Sequence, residues 1–122
     1  MSGVVIMSKI RFNKESPAPS VWHVWLANIR FEGNNGGKKR PVLVTETNGQ
    51  FCTILEISSK QSSYTPGIPV TDLDMAGLGR ESVIRIQKAR VVPKASLVSY
   101  LGVLSYGDRN TVKDALRGRG RQ

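Results

Sequence analysis

The chain has 122 residues, with 18 Lys or Arg against 9 Asp or Glu and a net charge of +9. That is room for one ordinary domain around one core, and such an excess of cations favours a polyanionic partner, nucleic acid ahead of an anionic membrane surface. Cys52 is the only cysteine and His23 the only histidine, which excludes an intrachain disulfide framework and a multi-cysteine zinc site and suits a cytoplasmic protein.

The N-terminal MSGVVIMSKIRFNK carries a short apolar patch with no basic region before it and no small-residue cleavage site, so it does not read as a signal peptide. No apolar run approaches the roughly 20 residues of a membrane-spanning helix. The prolines of ESPAPS resist regular structure, and residues 1–19 are expected to form a flexible tail, with Met7 an alternative start. A single domain is expected over residues 20–117.

VWHVWLANIRF, residues 21–31, is rich in β-branched and aromatic side chains and alternates Trp22, Val24, Leu26 and Asn28 against Val21, His23, Trp25, Ala27 and Ile29. That is a first strand. EGNNGGKK is a glycine loop, RPVLVTE a second strand, TNGQ a hairpin turn and FCTILEISS a third strand antiparallel to the second. KQSSYTPGI reads as a polar loop, IPVTDL as a short strand, DMAGLGRE as a turn-rich excursion and SVIRIQKARVV as another strand. KASLVSYL is expected to be a short helix. Ser105 and Asp108 have the spacing of a capping box, opening a helix over 106–117 that buries Val112, Ala115 and Leu116. Residues 118–122 are expected to be a frayed basic tail.

Arg40 precedes Pro41, which pushes it toward extended backbone where a glycine loop meets a strand. Its guanidinium offers a planar fork of donors suited to phosphate oxygens. Lys38, Lys39 and Arg40 read either as a solvated charge run or as a phosphate contact. Ser58 and Ser59 end the third strand, beside the second; they either start a turn or bring a hydroxyl toward Arg40. Glu56 shares Ser58's face by the period of two and is either a possible proton acceptor or a paired surface carboxylate.

His23 lies inside an apolar strand and reads as packed or surface-placed rather than catalytic. The stretch Arg85 to Lys94 holds Arg85, Lys88, Arg90 and Lys94 with no acid. Either it or Arg117, Arg119 and Arg121 can follow a phosphate backbone, or simply guard strand edges. Of the aromatics, the tryptophans read as core and Tyr64, on a loop, as a stacking platform. One histidine, one cysteine and no clustered carboxylates beyond Asp72 and Asp74 leave no metal constellation, and no cofactor fingerprint appears.

In order, VWLANIRF, Lys39-Arg40-Pro41-Val42-Leu43-Val44 after a glycine loop, Ile57-Ser58-Ser59, Gly77-Leu78, Ser82-Val83-Ile84, Arg90, Lys94, Leu97, Leu101-Gly102-Val103-Leu104-Ser105 and a helix through Val112 and Ala115-Leu116 resemble the MazF/PemK family of toxin-antitoxin ribonucleases. The resemblance spans about residues 21–117 and implies a mainly β fold, a compact SH3-like barrel of the CcdB/MazF type with a C-terminal α-helix, in a homodimer. It further implies a sequence-selective, metal-independent endoribonuclease that cleaves single-stranded RNA, inhibits translation and growth, and is restrained by a cognate antitoxin, through which alone it would meet operator DNA.

On that resemblance the family's catalytic arginine falls on Arg40 and its catalytic hydroxyl on Ser58, with Lys38, Lys39, Ser59, Lys60, Tyr64, Gln87 and Arg90 as the RNA-binding set. No cofactor is expected. Trp22-His23 stand where the family commonly has Gly-Asp. A non-enzymatic CcdB-like binder of DNA gyrase and a barrel that binds RNA without cutting it are the alternatives; CcdB-type proteins are expected to lack the RPVLV-type arginine entrance.

Overall fold

A computed structural model of the chain describes residues 16–29, 38–59 and 67–120, with the backbone alone at 119 and 120. Most of the expected N-terminal tail, the glycine loop before Lys38 and the loop with Lys60 and Tyr64 lie outside the described residues, as does the end of the expected basic tail.

Alternating apolar residues fold back on one another as an antiparallel meander of β1 (His23–Ile29), β2 (Lys38–Asn48) and β3 (Phe51–Ser59). The turn between β2 and β3 is closed by the pair Asn48↔Phe51, with Gly49 at φ 61, where glycine bears no steric penalty. After β4 (Ile68–Pro69) and α1 (Leu73–Ala76) comes the long β5 (Ser82–Pro93). A 3-10 turn at Lys94–Ser96 leads into β6 (Leu97–Val103), and α2 (Tyr106–Gly120) ends the described chain. The six strands form one antiparallel sheet in the order β4-β5-β3-β2-β1-β6, the mainly β architecture with a C-terminal helix expected from the sequence. β4 and β6 remain its edges, so the bent sheet is barrel-like without closing.

Register distributes the core over both faces. Val24↔Leu43↔Leu55 align on one face, where Ile57, Ile84, Ala76, Leu104 and Val112 join them. Trp25↔Val42 and Val44↔Ile54 align on the other, with Ala27, Cys52, Val92 and Leu97. Each such aliphatic side chain contributes about 1.5–3 kcal/mol on burial, so a slip of one residue would exchange the two cores at heavy cost.

The sheet bends where strands carry extra residues. Leu55 faces Ala89 while the next residue, Glu56, faces Arg85, so Ile86, Gln87 and Lys88 are left over on β5. Along β6, Gly102 and Tyr100 face Val24 and Trp25, and Ser99 and Leu97 face Leu26 and Ala27, leaving Leu101 and Val98 outside the ladder. Such bulges raise twist and re-aim side chains.

IPVTDL forms a strand only at Ile68–Pro69, with Leu73 opening α1, and three further expectations change. KASLVSYL is not a helix: only Lys94–Ser96 turns, and the remainder is β6, because pairing with β1 and burial of Leu97 outweigh a weak helical pattern. Ser105 does cap α2, its Oγ accepting from the Asp108 amide at 3.3 Å. Asp108, 3% exposed, instead accepts from the Thr71 amide at 2.8 Å and Thr71 Oγ1 at 2.9 Å, reaching across the fold rather than back to its own helix start. Third, α2 runs on through Gly120 instead of stopping at 117.

Trp22 has φ 77, the left-handed region natural to glycine. Its amide donates to Val44 O at 2.8 Å, its carbonyl accepts from Leu104 N at 2.9 Å, and its ring packs on the first core. Those contacts hold a conformation costing about 1–3 kcal/mol.

The tightest approach in the fold joins α1 to β6. Gly77, at φ 72, caps α1 against Leu101, and a Cβ there would run into the Leu101 carbonyl; one at Gly102 would run into the Met75 carbonyl. Gly102→Ala is therefore expected to lower stability by about 3 kcal/mol through overpacking, read as a drop in the urea midpoint at unchanged slope. A midpoint within error of the parent would show that the contact yields.

Candidate active site

The cations at the entrance of β2 lie on the strand itself. Ile29↔Lys38, Asn28↔Lys39 and Ala27↔Arg40 pair them with β1, while β3 pairs with β2 as Val44↔Ile54, Leu43↔Leu55 and Val42↔Glu56. That ladder ends at Val42↔Glu56, two residues short of Arg40 on one strand and of Ser58 on the other, so both stand at the same end of the strand pair. Pro41 has no amide to give to a ladder, and the chain passes from exposed Arg40 to fully buried Val42 across it.

An open groove of about 410 Å³ runs along these strand ends. Lys38, Lys39, Arg40, Ser58 and Ser59 line it, and Gly77 to Arg80, Ser82 and Leu101 form the facing wall. Among its described lining residues are four cations, three serines and no acid. A depression of similar size, about 450 Å³ beside the β2-β3 turn, is lined instead by Glu46, Asn48, Phe51, Val91 and neighbours, without a cation. Of these two concavities, the positive charge is gathered in the first.

Behind Ser58 stands Arg85, 4% exposed, whose Nε donates to Ser58 Oγ at 2.8 Å. Arg85 is thus no part of an exposed basic track. With its lone pair engaged there, the Ser58 oxygen keeps its own hydrogen to offer elsewhere. Glu56, next on the same face, forms an ion pair with Arg90 at 4.0 Å. Neither lines the groove, nor does Gln87, exposed on the β5 bulge. Lys60 and Tyr64 lie outside the described residues. Arg117, in the second basic cluster, pairs with Asp114 at 3.2 Å.

Sequence reading missed Arg80 as a groove residue and misplaced Arg85. Arg80 sits in a Gly-Leu-Gly-Arg turn that announces only backbone freedom; α1 docking on β6 brings it to the groove. Arg85 alternates with Ile84 and Ile86 as a solvent-facing residue would, yet it lies in a run from Ser82 to Ile86 that is buried throughout.

His23 is packed as a structural acceptor. Its Nδ1 accepts from the Ser20 amide at 3.2 Å and from Trp25 Nε1 at 3.3 Å, and its ring stands edge-on to Tyr100 at 5.0 Å. Burial first, and the Arg109 charge second, lower its pKa. Cys52 is buried, and burial pushes its thiol pKa up. Among the described residues no group of three His, Cys, Asp or Glu is placed to hold a metal ion, and no helix is long and apolar enough to cross a membrane.

Residues 20–118 match the family model of the PemK-like, MazF-like toxin of type II toxin-antitoxin systems. No curated protein matches the sequence. Solved structures share the fold. MazF of Deinococcus radiodurans is 21% identical with a TM-score of 0.64, over 88% of this chain and 100% of that one. The Mycobacterium tuberculosis toxin MazF-mt6 is 19% identical at 0.61, over 79% and 93%. An endoribonuclease from a mycobacterial species, in complex with its cognate antitoxin, is 15% identical at 0.63, over 83% and 93%.

The His23 geometry sets an acid dependence. Burial and then the Arg109 charge disfavour a proton on His23, so the folded chain holds it less readily than the unfolded chain, whose pKa is near 6.5, and a proton on Nδ1 would also remove both accepted hydrogen bonds. Stability from His23 is complete above that value and is lost as pH falls from it through the lower folded-state value. Urea midpoints taken from about pH 8 down to about pH 5 should fall, and fall less in His23→Gln, which keeps an acceptor without titrating. Parallel profiles for the two proteins would overturn the assignment.

Proposed function

The chain belongs to the PemK-like, MazF-like toxins of type II toxin-antitoxin systems, and on that premise we propose that it is a sequence-selective endoribonuclease cutting single-stranded RNA without a metal ion. The observation that supports the reading is a groove lined by both Arg40 and Ser58, with no acid among its described lining residues and with Arg85 Nε donating to Ser58 Oγ at 2.8 Å.

In this mechanism the 2′-hydroxyl attacks the adjacent phosphorus. The new O–P bond forms as the bond to the 5′ oxygen breaks, leaving a 2′,3′-cyclic phosphate and a 5′-hydroxyl. Arg40 stabilises the charge that develops on the phosphorane and hydrogen-bonds the departing oxygen, which takes its proton from solvent. Ser58, oriented by Arg85, donates to a non-bridging oxygen. Glu56, on Ser58's face of β3, is the candidate acceptor for the 2′-hydroxyl proton, although it stands outside the groove lining and is paired with Arg90. Lys38, Lys39 and Ser59 hold the strand along the groove; Lys60, Tyr64, Gln87 and Arg90 complete the RNA contacts.

The active form is a homodimer in the cytoplasm, inhibiting translation and growth until its cognate antitoxin covers the RNA groove; operator DNA is met only through that antitoxin. A mycobacterial endoribonuclease of this fold is solved with its cognate antitoxin, which supports the pairing.

Incubating the pure protein with long single-stranded RNA in EDTA should give fragments ending in cyclic phosphate. Arg40→Ala should lower kcat/KM by about 100-fold or more and Ser58→Ala by about 10–100-fold, with Ser58→Thr close to the parent. RNA left intact would overturn the nuclease and favour a barrel that binds RNA without cutting it. Cleavage unchanged by Arg40→Ala would remove Arg40 from the chemistry.

A further inference from the structure

The groove has two charged walls, and the proposed chemistry uses only one of them. Lys38, Lys39 and Arg40 stand on β2; Arg80 stands on the segment between α1 and β5. Arg80 is exposed and makes no ion pair with a described residue, although Glu81 follows it in sequence.

Its backbone is pinned on both sides. Gly77 N donates to Asp74 O at 3.1 Å and Leu78 N to Leu73 O at 2.9 Å. Beyond Arg80, Ser82 Oγ donates to the Arg80 carbonyl at 2.8 Å, and Ser82 itself is only 8% exposed. Beneath, Gly77 and Gly102 let α1 rest directly on the backbone of β6. A cation presented from so constrained a backbone loses less entropy on binding than one on a mobile loop.

Resting on the nuclease reading, we propose that Arg80 is a second phosphate subsite, which holds a phosphate adjoining the scissile one while Arg40 and Ser58 act on the scissile phosphate. A strand laid across the groove meets guanidinium on both walls, and the fork geometry suits the two non-bridging oxygens of a phosphate. Arg80 therefore sets where the chain lies and leaves the bond-breaking step alone. Its removal weakens the substrate's hold without slowing turnover at saturation.

The test uses the full chain and its Arg80→Ala and Arg80→Lys variants. Binding of a fluorescent 2′-O-methyl RNA oligonucleotide, which cannot be cut, is measured by anisotropy over a salt series. With one fewer phosphate neutralised on a single strand, Arg80→Ala should flatten the slope of log K against log salt by about 0.7, and Arg80→Lys should keep the parent slope. On cleavable RNA, Arg80→Ala should raise KM by about tenfold at unchanged kcat. A parent-like slope and KM in Arg80→Ala overturn the subsite and leave the nuclease reading standing; so does a fall in kcat at unchanged KM. If the parent binds but does not cut, the nuclease reading fails while the salt slope still decides whether Arg80 holds phosphate.

Discussion

The antiparallel register of β2 against β3 is the constraint on which the site depends. Val42↔Glu56 is fixed by what lies further along the same two strands, where Leu43 and Leu55 go to one core and Val44 and Ile54 to the other. Because both faces are buried, the register cannot slip without exposing several aliphatic side chains at once. Arg40 and Ser58 lie just beyond the last pair of that ladder, at the same end of the two strands. The precision of a polar pair at the rim is thus maintained by apolar residues that never touch a substrate.

A second layer acts through backbone approach. Gly77 and Gly102 remove the side chains that would hold α1 away from β6, and the bulge at Leu101 turns that residue into the groove wall. On β5 the bulge follows Arg85, whose side chain is buried and whose Nε reaches Ser58. Burying an arginine so far from water is costly unless its donors find partners, and here its Nε fixes the hydroxyl of a strand-end serine. Irregularities in the sheet, rather than its regular parts, distinguish the groove from an ordinary edge.

Much of this was legible in the chain. The period of two in VWHVWLANIRF, RPVLVTE and FCTILEISS foretold three strands of the sheet, and Pro41 after Arg40 marked where a cation meets buried strand. Bulges were not legible, because one extra residue changes which side chain faces inward without changing composition. Arg85 was read as solvent-facing and Arg80 only as part of a turn. KASLVSYL misled for a related reason: its short pattern is compatible with a helix, and only its pairing with β1 decides for strand. The departure from the family's glycine at Trp22 was visible in the chain, and Trp22 adopts φ 77, a conformation natural to glycine.

Asp108 gives the fold an order of assembly. Its carboxylate lies 37 residues from Thr71 in sequence, yet holds that residue by two hydrogen bonds just before α1. On a ribosome the chain emerges N-terminus first, so β1, β2 and β3 are available long before the carboxylate that fastens the segment leading into the groove's far wall. The wall is tied down only when nearly the whole chain has been made, and an early truncation leaves Arg40 and Ser58 on a sheet whose opposite bank has lost its mooring.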